Sequence, residues 1–101
     1  MWISALRARG RGASVDRVQR YAVEVYSPQG DDADFRACAA RLRRAARALT
    51  REGTPITYRR SFLLPGDETS FHLLDGTSLE AVSEAARRAA LDGARIVEAV
   101  Q

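Results

Sequence analysis

The chain has no lysine, one histidine and one cysteine among its 101 residues. The scarcity of cysteine is the one that removes a class of protein. A single Cys38 forms no intramolecular disulfide, and no Cys-x-x-Cys metal spacing exists. That suits a reducing compartment, and the expected location is the cytoplasm. No apolar run approaches the roughly 18 residues that cross a bilayer, so no membrane partner is expected. No metalloprotease, nucleophile-elbow or glycine-rich phosphate-loop spacing is present, so no motif names a reaction.

Charge excludes a further class. All 16 basic residues are arginine, and with 18 alanines this looks like the coding bias of a GC-rich genome. The net charge of +3 invites a nucleic-acid reading. However, residues 1–20 hold five arginines against one acid, whereas residues 21–101 hold eleven arginines against twelve acids. The part that folds is near neutral and lacks the basic stripe that phosphate backbones require. No nucleic-acid partner is expected.

Residues 1–16 show arginines among small residues and no periodicity. They read as a disordered tail or a start-site artefact, with a targeting segment as the alternative. The domain is then 17–101.

Within it, Arg20–Ser27 alternates as a strand that Pro28 and Gly30 end. Asp31, Asp32 and Asp34 supply N-terminal caps and first-turn acids for a helix from Ala33 to about Arg51. Phe35, Cys38, Ala39, Leu42, Ala46 and Leu49 form its buried stripe, and its arginines form a solvated face. In that stripe Cys38 is a small buried hydrophobe. Ile56–Leu64 and Thr69–Leu74 are strands joined by Pro65-Gly66-Asp67-Glu68, a turn in which glycine relieves a strained position. Thr77 and Glu80 suggest a capping box for a second helix, and Ala94–Val100 a last strand.

The order β-α-β-β-α-β predicts an α+β, ferredoxin-like fold. Its four-stranded antiparallel sheet should run in the order 4-1-3-2, with both helices on one face. Counting outward from the turn pairs Leu64 with Thr69, Phe62 with Phe71 and Ser61 with His72, and continues to Arg59 with Leu74 and Tyr58 with Asp75. Hydrophobicity assigns Tyr21, Val23, Val25, Phe62, Phe71, Leu73, Val97 and Ala99 to the helix-covered face. The open face then takes Ala22, Glu24, Tyr26, Arg59, Ser61, Leu63, His72, Leu74, Ile96, Glu98 and Val100. A half-apolar open face on a small domain predicts a homodimer of the dimeric α+β-barrel type.

Glu24, His72 and Glu98 would share that face, and an imidazole flanked by carboxylates is a ligand set for divalent nickel or zinc. The carboxylates should raise the His72 pKa. Tyr26, Arg59 and Ser61 would line a ligand pocket beside them. The alternatives are a small enzyme with a pocket on the open face, where His72 and Tyr26 handle protons, and a structural or interaction module. In the latter, His72 is a hydrogen-bonded sheet residue and the two glutamates pair with Arg59 or Arg95.

The Arg-Glu-Gly-Thr-Pro helix exit at residues 51–55, the Arg-Ser of strand two, the Asp-Glu-Thr turn, Phe71-His72-Leu73 and the closing Ile-Val-Glu-Ala-Val resemble the small ferredoxin-like family of nickel-binding-protein-like domains. The resemblance spans roughly Tyr21 to Gln101 and implies a small soluble protein with nickel as its possible cofactor. Members more often carry cysteine where Ser70 stands, an acid at Gly66 and Glu-Ala at Asp75-Gly76.

Overall fold

A computed structural model describes residues 17–91 and 93–100. The tail or start-site artefact expected at 1–16 lies outside the described residues. The order is β1 (Gln19–Tyr26), α1 (Asp32–Arg51), β2 (Ile56–Leu64), a 3-10 turn (Pro65–Asp67), β3 (Thr69–Gly76), α2 (Leu79–Arg88) and β4 (Arg95–Ala99). All strand pairs are antiparallel, in the order β2-β3-β1-β4. This is the ferredoxin-like α+β arrangement. No helix among the described residues is long and apolar enough to cross a membrane.

Local chemistry sets the helix ends. Asp31 caps α1: its carboxylate accepts from Asp34 N, while the Asp34 carboxylate accepts from Asp31 N. The buried stripe Cys38, Ala39, Leu42, Ala45, Ala46 and Leu49 then faces the sheet. At the far end, Thr50 Oγ1 donates to Ile56 O at 2.9 Å and accepts from Ile56 N at 3.0 Å, tying the helix exit to the start of β2. For α2 the cap is Ser78, whose hydroxyl accepts from Ala81 N at 3.1 Å, and not the expected Thr77–Glu80 box. In the β2–β3 turn the left-handed residue is Glu68, at φ 53°, so Gly66 does not carry the strain.

The hairpin register follows the sequence count from Leu64 back to Arg60. There a bulge intervenes: Arg60 pairs with Leu73 but Tyr58 pairs with Leu74, leaving Arg59 as the extra residue. The expected pairs Tyr58–Asp75 and Arg59–Leu74 are therefore not formed.

The face assignment is corrected for three strands. In β1, Tyr21 and Val23 are buried under the helices as expected. Their partners are Leu74 and His72, and Val25 pairs with Ser70. Cross-strand partners share a face, so Ser70, His72 and Leu74 lie beneath the helices, and Phe71 and Leu73 lie on the open face. In β2, Ser61 and Leu63 follow their partners inward, and Phe62 goes outward with Phe71. In β4, Ile96 and Glu98 take the helix-side phase opposite Val23 and Tyr21, and Val97 and Ala99 lie outward.

A physical reason sits at Gly76. A Cβ there would stand 2.9 Å from Ile56 Cδ1 and 3.2 Å from Val82 Cγ2. Only a residue without a side chain lets α2 pack at that end of β3, and period two then draws Leu74, His72 and Ser70 inward with it.

Candidate functional site

His72 is fully buried, its ring under α1 between β1 and β2. Phe35, from the second turn of α1, stacks on the imidazole with centroids 5.8 Å apart. Both ring nitrogens have partners. Nδ1 meets Ser61 Oγ at 2.6 Å, and Ser61 Oγ meets Tyr58 OH at 2.5 Å. Nε2 meets Ser70 Oγ at 2.9 Å and Cys38 Sγ at 3.4 Å. A polar chain thus runs through the core from Tyr58 to Cys38.

Such a chain is tolerated because it is satisfied. A buried polar group without a partner costs about 1–3 kcal/mol, and each hydroxyl here can both donate and accept. Burial alone pushes His72 down to about 4, so the ring is neutral near pH 7. Burial also pushes the Cys38 thiol up, against a weaker pull from the Arg41 charge. The pair is a neutral thiol beside a neutral imidazole, and the expected elevation of the His72 pKa by carboxylates is overturned.

Cys38 and Ser70 also line a cavity of about 180 Å³ between the start of α1 and the β2–β3 hairpin. Phe35 and Leu63 form its apolar wall. Asp31, Asp32, Asp34 and Glu68 lie around it. One Glu68 oxygen, Oε2, accepts from Gln29 N at 2.8 Å. The cavity thus has an acidic rim and a floor of thiol and hydroxyl.

The residues expected to join His72 are distributed differently. Glu24 is on the open face, paired with Arg95, with 3.8 Å between Nη1 and Oε1. Glu98 shares the His72 face but lies two strands across and two residues along, roughly 12 Å away by strand geometry. It sits opposite Tyr21, whose hydroxyl pKa it raises after burial has done so. Among the described residues, no three His, Cys, Asp or Glu side chains converge to hold a metal ion. Tyr26 is exposed at the open-face end of β1. Arg59, at the bulge, approaches Asp75 at 3.7 Å, while Arg20 holds that carboxylate at 2.8 and 3.2 Å. Of the expected pocket, only Ser61 contacts His72.

Sequence reasoning missed Ser70, Phe35 and Tyr58, and read Cys38 only as packing. Ser70 was recoverable once the face of His72 was known, since residues two apart share a face. Cys38 and Phe35 were already on the buried stripe of α1, but nothing in the spacing says which strand position they meet.

Comparisons with protein-family models, with curated proteins and with solved structures return no significant match.

Proposed function

We propose that this domain is a small binding protein whose ligand enters the cavity above Cys38 and Ser70, and that a soft divalent cation such as nickel or zinc is the ligand. One observation carries this reading: Cys38 Sγ and His72 Nε2 stand 3.4 Å apart. A sulfur and a nitrogen bound to one tetrahedral ion, at about 2.3 and 2.0–2.1 Å, lie about 3.5 Å apart. A thiol sulfur and an imidazole nitrogen are therefore already at bridging distance. Ser70 Oγ and water from the cavity would complete the coordination, and the acidic rim would draw the cation in. A free thiol ligand suits a reducing compartment such as the cytoplasm.

The pH dependence follows from the thiol. His72 is already neutral, but Cys38 must lose its proton on binding, so affinity rises with pH. The test is titration with nickel and zinc of the wild-type chain and Cys38→Ser, followed by the thiolate-to-metal absorption band. Binding with the band in wild type, and loss of both in Cys38→Ser, is expected. Equal affinity in the two, without a band, would place the ions on the rim carboxylates and end the reading.

A second reading rests on Ser70. Its hydroxyl stands 2.9 Å from Nε2 while Ser61 holds Nδ1, the order of nucleophile, base and orienting group. A ring held near 4 is a weak base, which places this reading second. Covalent labelling of Ser70 by an organophosphonate ester would favour it.

We also propose that two copies pair through the open sheet face. With β3 reversed, that face carries Phe62 stacked on Phe71 at 5.5 Å, beside Leu64 and Leu73. Phe62 and Leu64 are 43% and 41% exposed and lie on the same face as the Phe71 ring, an apolar cluster that a second copy could cover. Light scattering at micromolar concentration should give twice the 11.1 kDa chain mass, and Phe62→Asp should halve it. A wild-type monomer would refute the pairing.

A further inference from the structure

A larger cavity than the one at Cys38 lies elsewhere. A groove of about 670 Å³ runs between the second half of α1 and the edge strand β2. Arg43, Arg47, Arg51 and Arg59 line it, and no carboxylate does. The sequence reading treats these helix arginines as a solvated face. Three of them instead recur every fourth residue along one wall of a groove, and the fourth stands on the opposite wall.

The groove is electrostatically incomplete. Like charges four residues apart on a helix repel, each pair by a few tenths of a kcal/mol. Arg51 is partly compensated by the negative end of the helix dipole. Arg43 lies over the Tyr58 ring, 4.8 Å from its centroid. Neither contact neutralises a guanidinium. Among the described residues, Arg47 has no acidic partner, and Arg59 has only a distant share of Asp75, which Arg20 already binds with two nitrogens. Glu52, next to Arg51 in the chain, is held by two bonds from Arg88 and has only a weak charge interaction with Arg51.

The backbone holds this arrangement in place. Thr50 fixes the α1 exit to β2 through Ile56. The bulge makes Arg59 an extra residue with no cross-strand partner, a device that re-aims a side chain. Arg59 thereby lines both this groove and a second hollow with Arg20 and Arg60.

We propose that the groove between α1 and β2 binds a small molecule carrying two or more anionic groups, phosphate or carboxylate, clamped by Arg43, Arg47 and Arg51 on one side and Arg59 on the other. Residues four apart on a helix are about 6 Å apart along its axis, so adjacent arginines serve neighbouring anionic groups. Guanidinium forks bind such groups through paired N–H donors. A volume of this size falls within the usual range for a metabolite-sized ligand. A long polyanion is disfavoured, because the surface from residue 21 onward carries more acids than arginines. This site is separate from the His72 cavity and does not depend on the metal reading.

The test is calorimetric titration with inorganic pyrophosphate, citrate and a hexose bisphosphate, at about 20 and about 300 mM salt. At least one probe should bind the wild-type chain, more weakly at high salt. Arg47→Gln with Arg59→Gln should weaken it at least tenfold. Arg44→Gln, an exposed change on α1 outside the groove, should leave it unchanged. Circular dichroism checks that each variant is folded. Phosphate probes binding without citrate, or citrate without phosphates, would both support the site and would tell the two chemistries apart. No binding by any probe, equal weakening by Arg44→Gln, or tighter binding of a single-stranded oligonucleotide would overturn the proposal.

Discussion

Ser61 Oγ and His72 Nδ1 meet at 2.6 Å across the β2–β3 pair, so the only imidazole of the chain is held from the edge strand while α1 covers its ring. That bond belongs to a chain of five side chains running from Tyr58 through Ser61 and His72 to Ser70 and Cys38. It explains how a polar side chain occupies the centre of a small core. It also makes the core sensitive to protons.

Stability should therefore depend on pH through His72. Its folded pKa of about 4 lies below the value near 6.5 that it has when unfolded. Between these values the unfolded chain binds more protons, so stability rises with pH across the window and is flat above it. Acidification from pH 6.5 to 4 should remove on the order of 3 kcal/mol through this group. Urea midpoints across that range test it. His72→Gln should be less stable at neutral pH and should show a shallower slope in this window. An unchanged slope would exclude His72 as the titrating group.

Cys38 should be slow to react in the folded chain. It is buried, and burial holds its thiol above the usual range. Alkylation by iodoacetamide near neutral pH should run at least about a hundredfold slower than for an exposed thiol. The rate should rise with urea as the fold opens. Rapid labelling without denaturant would mean that the cavity admits a reagent larger than an ion or water and that burial does not hold the thiol protonated.

Gly76→Ala should destabilise the fold by about 1–3 kcal/mol, since the added methyl meets Ile56 and Val82 inside contact distance. Thermal unfolding measures this. A simultaneous Ile56→Val change, which removes the nearer methyl at 2.9 Å, should cost less than the two single changes summed. A neutral Gly76→Ala would remove the close-packing explanation for the inward face of β3.

Thr50→Val should cost about 1–3 kcal/mol, because the hydroxyl both donates to and accepts from Ile56. Hydrogen exchange at the Ile56 amide should accelerate more than exchange in β1. Uniform acceleration would instead indicate a global effect.

Much of this protein is set locally and was legible in the sequence. The element order, the exact span of β2, the Asp31 cap region, the α1 stripe and the hairpin pairing from Leu64 to Arg60 all follow from turn chemistry, periodicity and caps, which act within a few residues. The candidate site was not legible in the same way. Its imidazole was recognised, but its neighbours were assigned to the wrong side of the sheet. Alternation divides β3 into Phe71 and Leu73 against Ser70, His72 and Leu74, and hydrophobicity favours burying the first set. The tertiary structure buries the second. Gly76 must lie beneath α2, and Cys38, Ser61 and Ser70 together satisfy the imidazole, so the polar set is covered at little cost. Period two fixes which residues go together, but only the packing of helices against the sheet decides which set is inside.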